Sequence, residues 1–174
     1  MTLKRCFILL VTFLFSPLLT VAQTPSMPFE DRGACPFECC VYRTWVANKA
    51  TAIRSKRGGS ASTAFNVKRR EKVTAVTGVV VTTQYGTMKV LRSTTVDGVR
   101  VRTGEILYLL TYQGEGFYKA WYKGRLLSAS DLEDGNLKVI SQPKAVWWVQ
   151  IKNKNGKVGW TNLRENFDNK DECG

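Results

Sequence analysis

WWVQIKNKNGKVGWTNL, Trp147 to Leu163, places three of the chain's five tryptophans around an asparagine-glycine pair between lysines. Asn-Gly between two alternating runs is a strong signal for a two-residue hairpin, because both residues tolerate the positive φ that such a turn demands. A turn at Asn155-Gly156 predicts that Lys154 faces Lys157, Lys152 faces Gly159 and Ile151 faces Trp160. On that register Trp147, Val149, Ile151, Val158 and Trp160 share a core face, while Trp148, Gln150, Lys152, Lys154 and Lys157 share the other. Trp148 beside the lysines then forms an aromatic, basic shelf for a ligand.

The same strand grammar runs upstream. KVTAVTGVVVTT, Lys72 to Thr83, is rich in β-branched residues and broken only at Gly78. VDGVRV, Val96 to Val101, carries Asp97-Gly98 as a tight turn. In EILYLLTYQGEGFYKAWYKGRLL, Ile106, Tyr108, Leu110 and Tyr112 alternate onto one strand face, Gly114 and Gly116 reverse the chain, and Lys123-Gly124 closes another turn. No apolar helical period of useful length appears. The fold class expected is all-β.

The chain has 174 residues and begins with Lys4 and Arg5 ahead of an apolar run from Phe7 to Ala22. Small residues at Thr20-Val21-Ala22 place a signal-peptidase site before Gln23, so residues 1–22 read as a signal peptide and the product as exported, with no transmembrane segment after cleavage. Residues 23–44 read as a cysteine-containing arm, loosely attached over Gln23 to Arg32, which is polar and holds two prolines. Lys and Arg number 26 against 14 Asp and Glu. Without Lys4 and Arg5 the surplus is about +10. In an exported protein that surplus points to polyanions of the envelope and away from nucleic acid.

Cys35, Cys39, Cys40 and Cys173 form an even set of four in that product. A bond between adjacent Cys39 and Cys40 would close a strained ring, so one of them is expected to reach Cys173 and the other Cys35. The spacing C-x3-C-C with one distant cysteine is not a usual zinc pattern and no histidine is present, so neither a metal nor a cofactor is expected. The absence of histidine also excludes Ser-His-Asp and Cys-His catalysis. Glu105, Glu115, Asp131, Glu133 and Asp134 are the carboxylates available to a glycoside hydrolase, but they stand beside glycines or in a polar stretch, where acids mark turns. No catalytic residue is assigned.

The pattern from Trp148 to Lys152, followed by Asn155-Gly156-Lys157-Val158-Gly159-Trp160, resembles the C-terminal hairpin of bacterial Src-homology-3 (SH3b-like) domains. FNVKRREKVTAVTG, Phe65 to Gly78, is similar to that family's middle strand pair, with Arg70 where a glycine is common. Gly116 to Leu126 is a weaker echo of the hairpin. The resemblance implies SH3-like small barrels, in one of two arrangements. In one, two barrel-like lobes, 45–130 and 131–174, pack as a compact unit, the second carrying the hairpin and the Cys173 tail. In the other, a single barrel opens with Phe65 to Gly78, closes with Trp147 to Leu163 and carries the middle as a long β insertion. The first is the arrangement expected.

The resemblance further implies recognition without catalysis. The expected function is a non-enzymatic binding module of the bacterial envelope for peptidoglycan peptides or glycans, with Trp148, Tyr118, Tyr122, Lys152 and Lys157 as its contact surface. An inhibitor or assembly partner of another envelope protein is the alternative, and a carboxylate-dependent wall hydrolase a third. Oligomeric state is not legible.

Overall fold

A computed structural model describes residues 24–132 and 135–173. The expected signal peptide, Glu133 and Asp134 lie outside the described residues. The strands are β1 (Phe29–Arg32), β2 (Thr44–Ala47), β3 (Thr51–Arg54), β4 (Thr63–Val67) and the long β5 (Lys72–Gln84). There follow β6 (Gly86–Val90), β7 (Thr94–Val96), β8 (Val99–Val101), β9 (Ile106–Gly114), β10 (Phe117–Tyr122), β11 (Arg125–Ser130) and β12 (Leu137–Ser141). The chain closes with β13 (Lys144–Lys152), β14 (Val158–Thr161), a 3-10 turn at Arg164–Asn166 and β15 (Phe167–Asp168). The architecture is all-β with a curled half-barrel sheet, and no α-helix occurs among the described residues.

An eight-stranded sheet runs β15-β2-β5-β13-β14-β3-β4, with β1 also paired to β5, and a five-stranded sheet runs β11-β10-β9-β6-β12. All pairings are antiparallel. The sheets therefore divide the chain near Tyr85 and Gln142, and the hairpin β13–β14 belongs to the sheet that holds β2 to β5, not to a unit beginning at residue 131. The five-stranded sheet is carried between the two halves of the larger one. Its exit and return cross at Gly86, where a Cβ would lie 2.7 Å from the nitrogen of Pro143.

Each sheet buries its own core. Trp45, Ile53, Val67, Val73, Val149, Ile151 and Phe167 fill one, with the Trp45 ring 6.1 Å from Trp147 and 5.9 Å from Phe167. Met88, Val90, Leu107, Leu109, Tyr118, Ala120 and Tyr122 are among those filling the other. Simple alternation fails in β9, where Leu107 and Leu109 point inward and a bulge opposite Lys119 and Ala120 makes Leu110 and Thr111 buried as well. The expected turns form at Asp97-Gly98, Glu115-Gly116 and Lys123-Gly124, each with positive φ at both residues.

The opening hairpin does not take the two-residue turn. Val149 pairs with Thr161, Gln150 with Trp160, Ile151 with Gly159 and Lys152 with Val158, one residue away from the expected register. The cause is Asn153, whose Oδ1 accepts the N–H groups of Asn155 and Lys157, both at 3.0 Å. This side-chain cap closes a three-residue loop, 154–156, with only Gly156 at positive φ. Trp160 and Val158 consequently leave the core face, and Gly159 takes the inward place. A Cβ there would lie 2.6 Å from the Arg54 carbonyl and 2.7 Å from Ile53 Cγ2.

The arm is not loose. β1 pairs with β5, and Cys35 bonds to Cys40 while Cys39 bonds to Cys173, resolving the pairing that the spacing left open. The second bridge spans 134 residues, a closure worth about 4 to 5 kcal/mol in the chain-entropy model. Residues after β15 run against the arm, with Val41 N–H donating to Lys170 and Glu172 N–H to Cys39.

In the smaller sheet, Glu105 accepts three bonds of 2.6 Å, from Lys123 Nζ, Tyr122 Oη and the Arg102 N–H. These donors, Lys123 first, lower its pKa from 4.5 to about 2.

Two outcomes are expected. Trp160→Ala should cost about 1 kcal/mol or less, whereas Trp45→Ala should cost about 3 to 5 kcal/mol and Gly159→Ala about 1 to 3 kcal/mol, all read by denaturant unfolding. On acidification, the unfolded chain takes up a proton at Glu105 before the folded one does, so its stabilising contribution is complete above pH 4.5 and lost as pH falls to about 2. Glu105→Gln should flatten the stability profile over that window, and an unchanged slope would refute the assignment.

Candidate functional site

The strand order brings two basic segments together. Lys152 of β13 pairs with Thr74 of β5 and so shares a face with Lys72, two residues earlier on that strand. Just before Lys72 comes the turn Lys68-Arg69-Arg70-Glu71, and just after Lys152 comes the capped loop with Lys154 and Lys157. All seven basic side chains are exposed. The acid among them, Glu71, accepts the Lys68 N–H at 2.8 Å and closes its own turn. Among the described residues no carboxylate lies within ion-pair distance of any of the seven. Concentrated, unpaired positive charge on a strand face attracts polyanions over roughly 8 to 10 Å at physiological salt.

An aromatic surface adjoins this charge, but it is not the one expected. Trp148 lies on the same outer face as Lys152 yet is only 9% exposed. Arg57, between β3 and β4, accounts for this. Its guanidinium sits 5.6 Å from the Trp160 ring and 2.9 Å from Glu30. Trp160 belongs to β14 and Glu30 to β1, which lie on opposite sides of β13 and β5. The β3–β4 loop must therefore cross the outer face where Trp148 stands. Trp160, half-buried and paired with Gln150, is the aromatic ring next to the lysines, and the corrected register puts it there.

Tyr118 and Tyr122 are not surface residues. They are 5% and 6% exposed in the core of the other sheet, Tyr118 donating to Gln142 Oε1 at 2.8 Å and Tyr122 to Glu105. Burial raises the pKa of the Tyr118 phenol, so it remains a donor at neutral pH. Lys152 keeps the outer face, but the shifted register sets Lys157 opposite Asn153 at the hairpin end, out of step with Lys152, while the two tyrosines and Trp148 are buried. Lys68, Arg69, Arg70 and Lys72 were missed, although KRREK is visible as a charge run at the start of a strand.

The carboxylates have structural tasks. Glu105 is held by its three donors, Asp131 accepts the Val139 N–H at 3.4 Å, and Glu115 occupies a positive-φ turn position. The ligand-type atoms of Glu38, Cys39 and Cys173 cluster, but the two sulfurs are joined to each other and offer no thiolate to a metal.

A separate cleft of about 400 Å³ opens where the arm meets both sheets. Pro36, Tyr112, Pro143, Trp147 and Arg164 line it. The Arg164 guanidinium rests 5.6 Å from the Phe37 ring and 5.9 Å from that of Trp147. Nothing in the sequence marked Arg164, because its setting depends on an arm more than a hundred residues away. Searches of protein-family models, of curated proteins and of solved structures find no match to this chain.

Proposed function

We propose that the protein is an exported, non-enzymatic binding module of the bacterial envelope whose ligand is an anionic wall polymer, of the peptidoglycan class, held on the outer face of β5, β13 and β14. The observation that carries this reading is the exposed cluster of Lys68, Arg69, Arg70, Lys72, Lys152, Lys154 and Lys157, whose side chains form no ion pair among the described residues, with Trp160 beside it. Lysines meet the carboxylates of such a polymer and the tryptophan stacks on its sugar or peptide faces. Two disulfides support an oxidising destination, and among the described residues no helix is long and apolar enough to cross a membrane. The likeness of the hairpin and of Phe65 to Gly78 to SH3b-like domains supports reading the larger sheet as a barrel of that kind, used for recognition.

The test is retention of the oxidised protein on purified sacculi at low and at physiological salt. Retention should fall steeply with salt, and Lys72→Glu with Lys152→Glu should abolish it while leaving the thermal midpoint nearly unchanged, since both side chains are exposed. Salt-independent retention, or an unaffected double variant, would sink the reading. Co-purification of an envelope protein without sacculus retention would instead favour the inhibitor or assembly-partner alternative.

A further inference from the structure

The Arg164 cleft is distinct from the basic face. Trp147, which forms part of its wall, projects from β13 on the side opposite Lys152. Its volume of about 400 Å³ falls within the range of small-ligand pockets, about 300–1,000 Å³.

Arg164 is exposed but not free to wander. Rings lie against it at 5.6 and 5.9 Å, and those rings are themselves fixed edge-to-face with centroids 5.6 Å apart. Phe37 is anchored by the Cys35–Cys40 bridge on either side of it, and Trp147 by donation from its Nε1 to the Ala34 carbonyl at 3.0 Å. Among the described residues no carboxylate lies within ion-pair distance of Arg164. A guanidinium whose neighbours are aromatic rings rather than carboxylates keeps N–H donors for an anion, and its planar fork matches a carboxylate.

The remainder of the lining mixes apolar Pro36, Pro143, Ala145 and the 41%-exposed Tyr112 ring with the amides of Gln142 and Asn162. We infer that this cleft binds the free C-terminal carboxylate of an apolar peptide segment, with Arg164 holding the carboxylate and Tyr112, Pro143 and Ala145 receiving the terminal side chain. The inference goes beyond the polymer reading and does not depend on it.

The experiment titrates the oxidised protein with N-acetyl-leucine and, separately, with N-acetyl-leucinamide, followed by calorimetry and by the indole N–H resonance of Trp147. The acid should bind about tenfold or more tighter than the amide, the loss expected when a charge-assisted bond is removed. Arg164→Gln should erase that preference, Arg164→Lys should keep part of it, and Tyr112→Ala should weaken both ligands alike. Lys72→Glu with Lys152→Glu should leave all of this unchanged while removing sacculus retention, which separates failure of one site from failure of the other. Equal binding of acid and amide, no binding of the acid up to its solubility limit, or a preference that survives Arg164→Gln in a folded protein overturns the inference. Tighter binding of glucuronic acid than of N-acetyl-leucine would overturn the peptide assignment.

Discussion

The carbonyl of Ala34 receives two side-chain hydrogen bonds, from the Tyr42 hydroxyl and from the Trp147 indole, directly over Gly78. Any Cβ at Gly78 would strike both donors and stand 2.8 Å from that carbonyl oxygen. The Gly33 N–H completes the knot by donating to the Gly78 carbonyl at 2.7 Å. Burial pushes the Tyr42 phenol up to about 12, so it stays a donor at any physiological pH. One gap in the side-chain surface of β5 thus joins the arm, the centre of the larger sheet and its last long strand. The position of Phe37, of the Cys35–Cys40 bridge and of Arg164 follows from it.

β5 also keeps the two proposed binding surfaces apart. Its first half pairs with β2 and its second with β1, while β13 runs along the whole of its other edge. The inward side of that pair is committed to Trp45, Trp147 and Phe167 and to the cleft at their margin. The outward side carries Lys72, Lys152 and Trp160. A polymer lying along one side and a peptide end entering the other would meet different residues of the same two strands.

What the sequence made legible was local. β-branched runs, the Asp97-Gly98 and Lys123-Gly124 turns and the cysteine count each depend on residues a few positions apart, or on chemistry independent of position. What it hid was non-local or set by a single side chain. Asn153 lengthens a turn that Asn155-Gly156 would otherwise make tight, and this moves Trp160 from core to surface. The covering of Trp148 depends on Arg57 reaching Glu30 across two intervening strands. Tyr118 and Tyr122 looked like a contact surface because aromatic alternation does not say which face is buried.

The nesting of one sheet within the other sets an order of events during synthesis. Every strand of the five-stranded sheet lies between Gly86 and Ser141, so it can pair as soon as that stretch has emerged. The larger sheet must wait for β13 to β15, and the Cys39–Cys173 bridge for Cys173. In the interval β5, thirteen residues rich in valine and threonine, has an open edge of the kind that templates aggregation. The run Lys68-Arg69-Arg70 and Lys72 stand at its start, where like charges on neighbouring nascent chains repel and act as gatekeepers against cross-pairing. The residues that make the finished surface attractive to a polyanion therefore also keep unfinished copies from one another.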